Sequence, residues 1–100
     1  MELKEFQRLS TEIINKLDKK YNVNRTEQMN LSQLIEEFGE LAKVVNLKNL
    51  RHKEPETKDL EDEFADVLLQ LAKLADIFNI DLEKAILNKL EVLKKRHNLE

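Results

Sequence analysis

Residues 59–78, DLEDEFADVLLQLAKLADIF, carry apolar side chains around most of a helical circumference. Leu60, Phe64, Val67, Leu68, Leu71, Leu74, Ala75 and Phe78 recur in threes and fours, the period of a helix rather than of a strand. A helix this widely apolar has to be covered on more than one side. A chain of 100 residues makes one domain, 1–100, with an ordinary core. The second cover is therefore expected from another subunit, in a homodimer or homotetramer. The rest of the chain is equally helical in character. It holds one Gly and one Pro among 100 residues, so long helices with short connections are expected.

Four helices follow from the pattern. The first spans about 2–21, with Leu3, Phe6, Leu9, Ile13, Ile14, Leu17 and Tyr21 at helical spacing. Its Phe6 and Tyr21 are either core or the wall of a base pocket. Thr26 reads as the N-cap of a second helix that runs from Glu27 to Leu47 or Leu50. Gly39 sits inside it, where Gly costs about 1 kcal/mol relative to Ala, and close approach of a neighbouring helix is the expected reason. Residues 48–58, KNLRHKEPETK, form the one loop, with Arg51, His52 and Lys53 as either phosphate contacts or ordinary exposed cations. Thr57 is a candidate cap for a third helix over 58–78. Asp81 caps a fourth over 82–97.

Two of these helices carry acids three residues apart, Glu37 and Glu40 on the second, Glu63 and Asp66 on the third. Helical residues at that spacing project from nearly the same face. At about 100° per residue, Leu31, Leu34, Ile35, Phe38, Leu41, Ala42 and Val45 fill an arc of about 120°. Glu37 lies about 40° outside that arc and Glu40 about 60° further round. On the third helix Glu63, Asp66 and Gln70 share a stripe about 60° wide, bordering the apolar face. These acids are either solvated flanks or, with the two helices packed together, four hard oxygen donors of the kind Mg²⁺ takes. On the fourth helix, Leu82, Ile86, Leu90 and Leu93 define the apolar stripe, with Lys89 on its arc and Arg96 near its edge. Lys89 there either snorkels or leans with Arg96 into the acid-lined cavity to hold phosphate.

The order EEFGEL, then EDEFADVLLQLAKLADIFNIDLEKAI, then NKLEVLKKRH resembles the MazG-like all-α nucleoside triphosphate pyrophosphohydrolases. Their signature is Glu-x-x-Glu, a variable spacer and Glu-x-x-Asp. It falls here on Glu37, Glu40, Glu63 and Asp66, with 22 residues between Glu40 and Glu63. The resemblance covers about residues 26–97. It implies an all-α four-helix MazG-like bundle completed by oligomerisation. It also implies Mg²⁺-dependent hydrolysis of a nucleoside triphosphate to monophosphate and pyrophosphate, in the service of nucleotide-pool cleansing. On this reading Glu37, Glu40, Glu63 and Asp66 ligate Mg²⁺, with Mn²⁺ as a possible substitute. Glu36 is the candidate general base beside Glu37, and Lys89 and Arg96 bind substrate phosphates.

Other chemistries have little to stand on. With no cysteine and no Ser-His-Asp arrangement, covalent catalysis has no candidate. A di-iron carboxylate site wants Glu-x-x-His pairs, and neither His52 nor His97 has Glu three residues before it. A net charge of −3 argues against a nucleic-acid polymer as partner. No apolar run reaches the ~20 residues a bilayer span needs. The start, MELKEFQRLS, is amphipathic rather than signal-like, so a cytoplasmic location is expected. Two alternatives stay open: a phosphoribosyl-ATP pyrophosphohydrolase, and a non-catalytic helical assembly module whose acids only solvate it.

Overall fold

The computed structural model describes residues 1–100 as an all-α chain of five helices, α1 (Leu3–Lys20), α2 (Glu27–Val45), α3 (Leu47–Arg51), α4 (Thr57–Ile77) and α5 (Leu82–Arg96). Four are the expected long helices. The fifth is a single turn, α3, which begins after a break at Asn46 where the second helix was expected to continue. Arg51 therefore lies in α3, and the connection to α4 contracts to residues 52–56. The caps follow side-chain chemistry. Thr26 Oγ1 accepts from the Met29 amide at 3.2 Å and Asp81 Oδ1 from the Lys84 amide at 3.1 Å. Thr57 is the first residue of α4 rather than its cap, which is Glu56. In a chain with a single Gly, left-handed backbone at Asn22, Asn79 and Asn98 (φ 53–56°) ends helices α1, α4 and α5.

The centre of the molecule is α4, which packs against α2 along one side and α1 along another; α5 packs mainly on α1. The α2–α4 pair is antiparallel. Glu37 faces Asp66 and Glu40 faces Glu63, while the Asn30 amide at the opposite end donates to the Gln70 carbonyl at 2.9 Å. This corrects the expected orientation of α2. Its side against α4 carries Asn30, Gln33, Leu34, Glu37, Leu41 and Val44, all buried or half-buried. The centre of the apolar arc, with Leu31 (47% exposed), Ile35 (62%) and Phe38 (50%), looks outward. On α4, Phe64, Leu68 and Leu71 are likewise exposed. Because the helices run antiparallel, these arcs fall on the same side of the pair, opposite α1.

Gly39 has no steric reason within the chain, since a methyl group there would meet nothing within 4 Å. The expected close helix approach is therefore absent from the fold of a single chain. Tyr21 is exposed, with the Lys20 ammonium 5.4 Å from its ring. Phe6 is half-buried.

Polar groups fix how α1 and α2 meet α4. The Arg25 guanidinium grips Asp18 with both ends of its fork, Nε to Oδ2 at 2.7 Å and Nη2 to Oδ1 at 2.9 Å. Its Nη1 also donates to Asn30 Oδ1 (3.3 Å) and to Gln33 Oε1. The buried Lys73 ammonium donates to Asn15 Oδ1 at 2.8 Å and lies 3.6 Å from Asp76. One guanidinium thus joins the end of α1, the 21–26 connection and the first turns of α2, next to the buried cation of α4.

Both members of the Arg25–Asp18 pair are largely buried, so removing one strands the other. The hydrogen bond from Arg25 holds the Asp18 carboxyl below its usual range against the opposing effect of burial, aided by the charges of Arg25 and Lys73. A lowered folded pKa gives stability that is present above the unfolded value and is lost as pH falls through the folded one. Urea unfolding should show Arg25→Met destabilised by about 2–3 kcal/mol at neutral pH. Wild-type stability should fall below about pH 4, with that limb reduced in Asp18→Asn.

Candidate functional site

Both paired helices place a polar residue at the same three-four-three spacing: Asn30, Gln33, Glu37, Glu40 on α2 and Glu63, Asp66, Gln70, Lys73 on α4. This spacing keeps one helical face. In the antiparallel register the two rows meet as a polar seam, acidic at one end and amide-bearing and cationic at the other. The fold gathers the acids of the first end closely. One oxygen from each of Glu37, Glu63 and Asp66 lies within 4.8 Å of the others. Glu37 and Glu63 are half-buried, while Asp66 and Glu40 are exposed.

Like charges at such distances oppose ionisation. Burial, then the charges of Asp66, Glu63, Glu40 and Glu36, push the Glu37 carboxyl above its usual range. Burial, then Asp66, Glu40, Asp62 and Asp59, do the same to Glu63. Glu63 Oε2 is moreover buried with no hydrogen-bond donor. A carboxylate oxygen left without a donor among other carboxylates suits a divalent cation. Opposite ligands of such an ion stand about 4–5 Å apart, so the donor set fits one with little movement. Beside it opens a hollow of about 290 Å³ lined by Glu40, Lys43, Asp59, Asp62 and Glu63. A larger hollow, about 390 Å³, lies between α1 and the 79–81 turn at the other end of α4 and contains none of these acids.

Of the candidate residues, Glu37, Glu63 and Asp66 come together and Glu40 adjoins them. Glu36 is exposed beside Glu37. Lys89 and Arg96 are not brought to the acids. Both are exposed on α5, which packs on α1 rather than on α2. The expectation that they lean into the acid cavity is not met within one chain, because α5 passes on the α1 side. Of the seam's other half, the sequence reading placed Gln70 on the acid stripe but missed Asn30, Gln33 and Lys73, for which the shared three-four-three spacing was the available signal.

Residues 25–99 match the family model described as the MazG nucleotide pyrophosphohydrolase domain. No curated protein and no solved structure matches the chain.

Two raised carboxyls make the acid end of the seam unfavourable to the metal-free fold at neutral pH. A group that binds its proton more tightly when folded gives stability below the unfolded pKa that disappears as pH rises through the folded one. Glu37→Gln should therefore raise the Tm of metal-free protein at pH 7. The gain should shrink toward zero as pH approaches about 4, as thermal melts across that range would show.

Proposed function

Since the chain belongs to the MazG nucleotide pyrophosphohydrolase domain family, we propose that it hydrolyses nucleoside triphosphates, with Mg²⁺, to the monophosphate and pyrophosphate. The observation that carries the reading is the clustered oxygens of Glu37, Glu63 and Asp66, one of them buried without a donor. These three and Glu40 would hold the ion, which when bound polarises phosphate oxygens and neutralises charge developing on them. Glu36, exposed beside Glu37, would take the proton of the attacking water. That water forms the new bond to the α-phosphorus, the bond to the bridging oxygen breaks, and pyrophosphate leaves. Lys89 and Arg96 would contact substrate phosphates from a second copy, since within the chain α5 lies apart from α2.

Apolar exposure supports the second copy. Only Ile14, Leu34, Val67 and Ala72 are fully buried apolar side chains, while Ile35, Phe38, Phe64 and Leu68 each stay half exposed or more. Contiguous apolar surface of this kind marks an interaction face. Open space around Gly39, on the same flank of α2, would then accommodate a partner helix. Substrate triphosphates and a role in cleansing the nucleotide pool complete the proposal. No helix is long and apolar enough to cross a membrane.

Incubation with a panel of canonical and modified nucleotides and Mg²⁺, scored for both products, tests the reaction. Phosphoribosyl-ATP belongs in the panel, because cleavage of it alone would overturn the triphosphate assignment. Asp66→Asn and Glu40→Gln should each lower turnover by about 100-fold or more, the rate equivalent of several kcal/mol of lost charge stabilisation, while circular dichroism stays unchanged. Sedimentation should find dimers or tetramers at micromolar concentration. A compact, folded monomer there would remove the second copy from the site.

A further inference from the structure

We propose that Gln70 is a positioning residue of the acid site, its side-chain amide completing the polar lining around the hydration shell of the divalent ion. The proposal rests on the reading of Glu37, Glu63 and Asp66 as that ion's ligands. Three observations converge on Gln70. It follows Asp66 by one helical turn on the same stripe, so the two side chains are neighbours. Its Oε1 is buried without a hydrogen-bond donor, the second such oxygen of α4 beside Glu63 Oε2. Its backbone carbonyl is already satisfied by Asn30, so the open demand belongs to the side chain alone.

Helix direction separates Gln70 from Gln33, the residue opposite it in the seam. Side chains lean toward the N-terminus of their own helix. On α4 the N-terminus lies at the acid end, and Gln70 leans toward Asp66. On α2 it lies at the Arg25 end, and Gln33 leans away from Glu37, its oxygen taken by the Arg25 guanidinium. One amide is thereby committed to the scaffold, while the other keeps a buried oxygen without a donor one turn from Asp66. A buried acceptor without a donor calls for a reason. The terminal torsion of Gln is soft, so a small turn aims the oxygen at water carried by the ion. Outer partners of this kind orient what a metal site holds and tune its affinity.

The test is calorimetric titration of Mn²⁺ alone into wild type, Gln70→Leu and Gln70→Glu, with a thermal melt of each metal-free protein. Gln70→Leu should melt at or above the wild-type temperature yet bind Mn²⁺ about 10–100-fold more weakly. Gln70→Glu keeps an acceptor oxygen at the same reach and should bind Mn²⁺ at least as tightly as wild type. Wild-type Mn²⁺ affinity in Gln70→Leu overturns the proposal, including the case in which only nucleotide binding weakens. A lowered Tm with unchanged Mn²⁺ affinity would make Gln70 structural and overturns it equally. Gln70→Met takes the place of the leucine variant if that one does not fold. A wild-type protein that binds no Mn²⁺ removes the acid-site reading itself, whereas equal binding by wild type and Gln70→Leu removes only the role of Gln70.

Discussion

The guanidinium of Arg25 holds together what the helices alone would not. It contacts α1 through Asp18 and α2 through Asn30 and Gln33. Asn30 in turn binds the backbone of α4. That chain of contacts, together with Leu34 buried beside it, sets the rotation of α2 about its own axis. Its most apolar arc looks outward, against what hydrophobic burial within one chain alone would prefer. Asn30 and Gln33 instead pull the polar row into the seam, and Glu37 and Glu40 follow because they share that row. A planar fork with several fixed donors suits this task better than the point charge of a lysine.

The seam joins two opposed demands. At the Arg25 end the buried charges have partners, since Asp18 is gripped in bidentate fashion and Lys73 rests on Asn15 and Asp76. At the other end carboxylates face carboxylates, and two of them hold their protons more tightly than usual. The paired end supplies the order that the unpaired end lacks. Rigid helices then keep the acids close even though they repel, and such a cluster is already arranged for a cation before one arrives.

Much of this was legible in the sequence. The four long helices, the Thr26 and Asp81 caps and the acid spacing all follow from local rules that need no neighbour. Resemblance in the EEFGEL and EDEFADVLLQ segments pointed to the family, which the match over residues 25–99 establishes. Orientation was less accessible. A wheel drawn on α2 finds its apolar arc but not which partner covers it, and here the intrachain partner takes the polar border instead. Likewise the apolar stripe of α5 did not reveal that the helix packs on α1, which leaves Lys89 and Arg96 away from the acids. The interruption at Asn46 is a single residue, spanned by helical bonds from its own amide to Ala42 and from the Leu50 amide to its carbonyl, a boundary too fine for propensity to fix.

The way α5 is fastened bears on how readily it opens. The α2–α4 pair closes across a short excursion through α3, so its contacts form between segments near in sequence. The fastening of α5 is different. Gln7 Nε2 donates to the Ile80 carbonyl at 2.7 Å, and Gln7 Oε1 accepts from the Leu82 amide at 3.0 Å, across separations of 73 and 75 residues. Loop-closure entropy is greatest for contacts so distant along the chain, and they are rewarded only after the intervening helices are in place. The amide of Gln7 thus fastens α5 near its start by two hydrogen bonds, while most side chains of that helix remain exposed. A helix with so few buried contacts opens at lower cost than the α2–α4 pair.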